Sequence, residues 1–170
     1  QVNPRALILV PTRELVVQVV SELEKLSTLN DMRILGVYGG TNINTQKKAV
    51  VEGCDIIVAT PGRLYDLAVS HVLQLKNIQK LVIDEVDVML DLGFRFQLVN
   101  IIDILPRKHQ NILFSATMTD EVSAMIAEFF NNPIKISVAK SGTPLENIEQ
   151  FRYNVPNYYT KQNLLVKLLN

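Results

Sequence analysis

Residues 6–26 read ALILVPTRELVVQVVSELEKL, and this stretch sets the architecture. Ala6 to Val10 is a short apolar run with the length and branched content of a strand buried on both faces. Pro11 and Thr12 break it. Behind them Leu15, Val16, Val19, Leu23 and Leu26 fall on one stripe at helical spacing, with Thr12 placed as the N-cap. The unit then recurs: further strand-type runs are Ile34 to Tyr38, Asp55 to Ala59, Lys80 to Ile83, Asn111 to Phe114 and Ile134 to Val138. Helix patterns follow at Thr45 to Glu52 (Gly53 just past the end), Pro61 to Ser70, Phe94 to Leu105 and Thr119 to Phe130. Alternating strands and helices with short connections predict right-handed crossovers, hence an α/β fold with a mostly parallel sheet and helices on both faces.

The pattern changes after Val138. Residues 139–148 (AKSGTPLEN over Ala139 to Asn147) are small and polar with Gly142 and Pro144, a linker composition. Glu149 to Val155 then reads as a strand and Tyr158 to Leu169 as an amphipathic helix. One strand and one helix build no core, so residues 1–138 are expected to form one domain and 149–170 the opening of a second. A buried-type strand within six residues of Gln1 gives the expectation of a chain truncated at both ends.

Composition narrows the class. The 170 residues are 48% hydrophobic and hold 17 basic against 17 acidic side chains, the make-up of a globular protein that can bury roughly 70% of its unfolded surface. No apolar run reaches the ~18–20 residues of a membrane span, and the start has no signal-peptide layout. The lone Cys54 excludes an internal disulfide and fits a reducing compartment, so a cytoplasmic location is expected. It reads as a buried small apolar residue, because no histidine stands at a suggestive spacing. His71 and His109 read as solvated, and Met89, Phe94 and Phe96 as packing groups. With no net charge, any nucleic acid must be held by local geometry.

In open parallel sheets, ligands bind beyond the carboxyl ends of the strands. Five successive strands deliver chemistry there: Pro11-Thr12-Arg13-Glu14-Leu15, Gly39-Gly40-Thr41, Thr60-Pro61-Gly62-Arg63, Asp84-Glu85-Val86-Asp87 and Ser115-Ala116-Thr117. Adjacent carboxylates at Asp84 and Glu85 suit a Mg²⁺ held mainly through water, with one acid left to orient an attacking water. Asp87 is placed to accept hydrogen bonds from Ser115 and Thr117. Thr60 with Pro61 marks a helix start whose free N–H groups attract anions, and Arg63 adds a fork for phosphate. Thr12 and Arg13 repeat that arrangement, and Gly39-Gly40 lets a backbone approach without a side chain between. Each piece alone has a plainer reading: an acidic turn, a capped helix, a tight turn. Their shared edge argues for a site.

In order and spacing, P-T-R-E-L-x-x-Q (Pro11 to Gln18), G-G, T-P-G-R-L (Thr60 to Leu64), D-E-x-D and S-A-T closely resemble the first RecA-like domain of DEAD-box ATP-dependent RNA helicases, over essentially the whole chain. The resemblance implies ATP and Mg²⁺ as cofactors and RNA as partner, gripped by its backbone with little sequence preference. It further implies that Asp84 and Glu85 serve the metal and the attacking water. Asp87, Ser115 and Thr117 would then couple nucleotide state to RNA, and Pro11, Thr12, Arg13, Gly39, Gly40, Thr60, Pro61, Gly62 and Arg63 would touch RNA.

Two features depart from that pattern. Val86 stands where the family name has alanine, which should alter packing and leave the chemistry. Nothing matches the phosphate loop G-x-x-x-x-G-K-[ST]. The 170 residues are therefore expected to lack measurable ATPase by themselves, and an unpaired edge beside Asn111 to Phe114 is expected to invite self-association. A non-enzymatic RNA-binding or regulatory module that lost its nucleotide loop is the alternative. A strand-separating ATPase acting on DNA fits the P-T-R-E-L and T-P-G-R wording less well.

Overall fold

The computed structural model describes residues 3–138, 149 and 151–169. The chain divides into two compact units, Gln1–Ile136 and Ser137–Asn170. In the first, five parallel strands, β1 (Ala6–Leu9), β2 (Ile34–Val37), β3 (Ile56–Ala59), β4 (Lys80–Ile83) and β5 (Gln110–Leu113), lie in the order β2-β3-β1-β4-β5. Six helices connect or follow them: α1 (Arg13–Leu26), α2 (Ile43–Glu52), α3 (Pro61–Val69), α4 (Val86–Asp91), α5 (Arg95–Ile104) and α6 (Asp120–Phe129).

The strand order determines which face each helix covers. The chain moves one way along the sheet from β1 to β2 and the opposite way in every later step. Right-handed crossovers therefore put α1 on one face and the other connecting helices on the other. The packing follows this division. Leu7, Leu9, Ile57, Ala59, Leu81 and Ile83 face Leu64, Leu67, Met89, Leu98 and Ile101 of the larger layer, joined by Val122 and Met125 of α6. Ile8, Val58, Ile34 and Ile56 on the reverse side meet Leu15, Val16, Val19, Val20 and Leu23 of α1. Each fully buried side chain of this kind contributes roughly 2–3 kcal/mol. Gly36 of β2 lets α1 approach closely: a Cβ there would lie 3.2 Å from Val16 and 3.4 Å from Val20, and those side chains would have to give by a few tenths of an ångström.

Local chemistry fixes most element ends. Thr12 Oγ1 accepts from Leu15 N at 3.2 Å, as expected of the cap. Helix α2 begins two residues before the expected Thr45 because Asn42 caps it, accepting from Asn44 N at 2.9 Å. Thr60 stands at the cap of α3 with Pro61 in the first turn, yet its side chain makes no capping bond. Helix α4 was not anticipated.

Two expected strands are absent. Ile134 to Val138 forms none; Ile134, Ile136 and Val138 are 90%, 84% and 97% exposed. A strand needs a neighbour for its backbone N–H and C=O groups, and the five-stranded sheet does not include this segment. Residues 149 and 151–155 are likewise not strand. The expected linker 139–148 lies outside the described residues. The second unit holds α7 (Tyr158–Leu169), whose described residues are all at least partly exposed. No helix among the described residues is long and apolar enough to cross a membrane.

Candidate functional site

Register turns five separate loops into one rim. Ala6 lies level with Ile56 and Lys80, Ile56 with Ile34, and Lys80 with Gln110, so all five strands finish together at Val37, Ala59, Leu9, Ile83 and Leu113. At ~4.8 Å per strand that row is about 19 Å long. Backbone bonds extend the alignment by one residue: Thr60 N donates to Val37 O (3.0 Å), Val10 N to Ala59 O (3.0 Å), Asp84 N to Leu9 O (2.9 Å) and Phe114 N to Ile83 O (2.8 Å). The motif residues emerge side by side from these positions, as the sequence implied.

The rim has two halves. Where β2, β3 and β1 end, Arg13 and Arg63 flank the Gly39-Gly40 turn. The Arg13 guanidinium sits 5.1 Å from the centre of the Tyr38 ring, a cation–π contact. Gly40 has φ +77°, which calls for glycine, and a Cβ at Gly39 or Gly40 would meet nothing within 4 Å. The space outside the turn is open. Arg63 is half-buried and tied inward: Nη1 donates to Gln46 Oε1 and Nη2 to Thr41 O, both at 3.1 Å. Its remaining N–H groups are the ones left for a ligand. Thr12 is engaged as a cap, Pro11 and Pro61 are buried, and Thr60 is 9% exposed. At Gly62 a Cβ would make ordinary contact with Phe94 at 3.8 Å.

Where β4 and β5 end, the rim is acidic. Asp84 Oδ1 accepts from Glu85 N at 2.9 Å. Glu85 adopts φ 54°, ψ 48°, a left-handed conformation that turns the strand into α4 within one residue. A side chain held there costs about 1 kcal/mol or more. Glu85→Gly is therefore expected to raise thermal stability by about 1 kcal/mol, roughly 3 °C in melting midpoint, while deleting the carboxylate. A midpoint below wild type in differential scanning fluorimetry would mean the conformation is not strained. Val86 is fully buried in the core, in keeping with a packing role.

Asp87 is 7% exposed and takes two bonds on one oxygen, from Thr117 Oγ1 at 2.6 Å and Thr117 N at 2.9 Å. Burial pushes its carboxyl up, but the Thr117 hydroxyl and N–H, with help from Ser115 and the Val88 N–H, outweigh it and hold the group below the ordinary carboxylate value. The Ser115 hydroxyl makes its own bond to Thr117 O at 2.6 Å.

Asp84 and Glu85 present hard oxygens, the right donors for Mg²⁺, which takes few protein ligands and keeps several waters. Among the described residues no group of three or more His, Cys, Asp or Glu side chains gathers that could hold a metal ion by itself. The phosphates of a nucleotide find no matching cradle in this sequence.

Away from the rim, burial pushes the Cys54 thiol up to about 11, with Asp55 adding to this and Arg33 opposing it, which makes it an inert packing group. Phe96 was expected to pack but is 63% exposed, touching Tyr65 edge-on at 5.9 Å. His109 was expected to be solvated but is partly buried, because its Nδ1 faces Pro106 O. Sequence reasoning missed Tyr38, Gln46 and the backbone strain at Glu85. The first two act through backbone carbonyls and a ring face, which leave no motif.

The family model for DEAD/DEAH box helicases matches residues 1–125. The chain is 36% identical over 165 residues to an ATP-dependent RNA helicase eIF4A of Kluyveromyces lactis, covering 97% of this chain and 42% of that protein. It is 38% identical over 166 residues to a DEAD-box ATP-dependent RNA helicase CshA of Bacillus cereus, covering 98% and 31%. Among solved structures, a DEAD-box protein from Methanococcus jannaschii superposes with TM-score 0.74 at 36% identity, over 76% of this chain and 36% of that one. The yeast DEAD-box splicing factor Prp28 does so with TM-score 0.72 at 37% identity, over 76% and 31%. The chain thus spans between about a third and two fifths of the length of these two curated relatives.

Proposed function

The chain belongs to the DEAD/DEAH box helicase family, and from that membership we propose that its rim is the RNA-gripping and water-activating part of an ATP-dependent RNA helicase. The observation that carries the reading is the level finish of the five strands, which lines up Arg13, Gly39-Gly40, Thr60 to Arg63, Asp84-Glu85 and Ser115 to Thr117 on one edge. Arg13, the turn at Gly39-Gly40 and the start of α3 present cations and free N–H groups to a sugar-phosphate strand. Asp84 would hold Mg²⁺ largely through water, and the ion would neutralise developing phosphate charge. Glu85 would orient and deprotonate the attacking water. Thr117, bonded to Asp87, and Ser115, bonded to Thr117, join the acidic loop to the end of β5, so a shift at one would be felt at the other. Residues 149–170 would open a second domain, and the parent protein would act in the cytoplasm.

A second reading, an RNA-binding module without turnover, rests on the RNA half of the rim alone, where Arg13, the Gly39-Gly40 turn and Arg63 stand together. Both readings require this chain to bind RNA, so that is the direct test. Fluorescence anisotropy should show binding to single-stranded RNA of mixed sequence, with a log–log salt slope of about −2 for some three phosphates. Raising salt from 50 to 200 mM should then weaken binding roughly twentyfold. DNA of the same sequence should bind more weakly, because 2′-hydroxyls carry part of the recognition. Equal affinity for both, or no salt dependence, would reject the assignment.

A further inference from the structure

Gln46 belongs to none of the motifs, yet every strong hydrogen-bonding group it has is engaged. It sits near the start of α2, 9% exposed. Its Nε2 donates to Tyr38 O at 2.9 Å and to Thr41 Oγ1 at 2.7 Å, one acceptor on each side of Gly39-Gly40. Its Oε1 accepts from Arg63 Nη1 at 3.1 Å, and the same guanidinium reaches Thr41 O at 3.1 Å. The amide orientation follows from chemistry: arginine only donates, so the oxygen must face it and the nitrogen must face the carbonyl. Through Tyr38, whose ring lies under Arg13, the same brace extends to the loop after β1. The glycine turn has no side-chain support of its own, since nothing lies within 4 Å of where its Cβ atoms would be.

We propose that Gln46 is a positioning residue for RNA binding: it clamps the Gly39-Gly40 turn to the first turn of α3, fixing three rim loops relative to one another before RNA arrives. This rests on the RNA reading above. Gln46 touches no RNA; it sets the spacing at which the turn's N–H groups and the two arginines meet successive phosphates. Preorganisation of this kind is worth affinity because the loops need not be ordered on binding.

The test measures binding of a fluorescein-labelled oligouridylate of about ten nucleotides to the 170-residue chain, with the thermal midpoint recorded for every variant. Gln46→Met keeps the volume and removes all three bonds; it should weaken RNA binding about tenfold with the salt slope unchanged. Gln46→Glu still accepts from Arg63, and the Thr41 hydroxyl, an acceptor in the wild type, can rotate to donate to the carboxylate, so this variant should recover at least half of that loss on a logarithmic scale. A space-filling role predicts wild-type affinity for Gln46→Met, and that result overturns the inference, as does Gln46→Glu binding no better than Gln46→Met. Should Gln46→Met fail to fold, Thr41→Val removes one anchor at a half-buried position and should weaken binding about threefold; wild-type affinity there overturns the inference equally. If the wild-type chain does not bind the oligonucleotide, the RNA reading fails and this inference fails with it. Wild-type binding with indifferent variants sinks the inference alone.

Discussion

Replacing Glu85 by glutamine in the full-length protein that carries this chain is expected to lower RNA-stimulated ATP turnover about a thousandfold while ATP binding persists. The amide has the shape of the acid and keeps the left-handed turn at φ 54°, so the loop after β4 should hold its course. What it loses is the ability to take a proton from water. Asp84, whose Oδ1 is fixed by the Glu85 backbone N–H and not by the Glu85 side chain, keeps its orientation, so the hold on Mg²⁺ proposed for it should persist. Binding and chemistry should therefore separate, the signature of a group that acts only when water attacks. Single-turnover hydrolysis alongside equilibrium binding of a fluorescent ATP analogue checks this. Turnover unchanged by Glu85→Gln removes Glu85 from the role. Glu85→Gly offers an internal contrast: the same chemistry is lost, yet the fold should become more stable.

Much of the fold was readable because its strands are buried on both faces and end in residues that cannot continue them. The run Ala6 to Leu9 stops at Pro11, Ile56 to Ala59 at Thr60-Pro61, and Ile34 to Val37 near Gly39-Gly40. These same stops are the rim, so finding the elements and finding the candidate site were one act of reading. What stayed hidden depended on interactions that composition does not encode. Helix α4 spans six residues and is entered through a left-handed glutamate without a capping side chain, so neither periodicity nor a cap announces it. Ile134 to Val138 has the alternation of a strand, but alternation reports propensity and does not by itself specify a pairing partner. Gln46 recognises the carbonyl of Tyr38 and the hydroxyl of Thr41, while Arg63 takes the carbonyl of Thr41, and every residue has a carbonyl. The Asp87–Thr117 contact, by contrast, pairs two side chains on adjacent strand ends, and their sequence positions after β4 and β5 were enough to anticipate it.

That contact should also dominate the acid sensitivity of the first unit. Thr117→Val is isosteric, removes the 2.6 Å bond to Asp87, and leaves the carboxylate of this buried residue with the Thr117 N–H as its main remaining donor. The expected cost is about 3 kcal/mol at pH 7, roughly 8 °C in melting midpoint. The pH dependence identifies the cause. In the wild type the Asp87 carboxyl is held below its unfolded value, so its contribution is fully present above that value, near pH 4, and is lost as pH falls through the folded one. In Thr117→Val the burial that pushes the carboxyl up is less opposed, so the folded group takes its proton more readily and the penalty of burying a charge disappears in acid. The stability gap between wild type and Thr117→Val should therefore be widest at neutral pH and close as pH drops below about 4. Urea unfolding at pH 7, 5 and 3.5 measures it. A gap that stays constant across that range would show that the threonine hydroxyl stabilises the loop through packing, and that Asp87 is not the group through which the acidic loop and the end of β5 are linked.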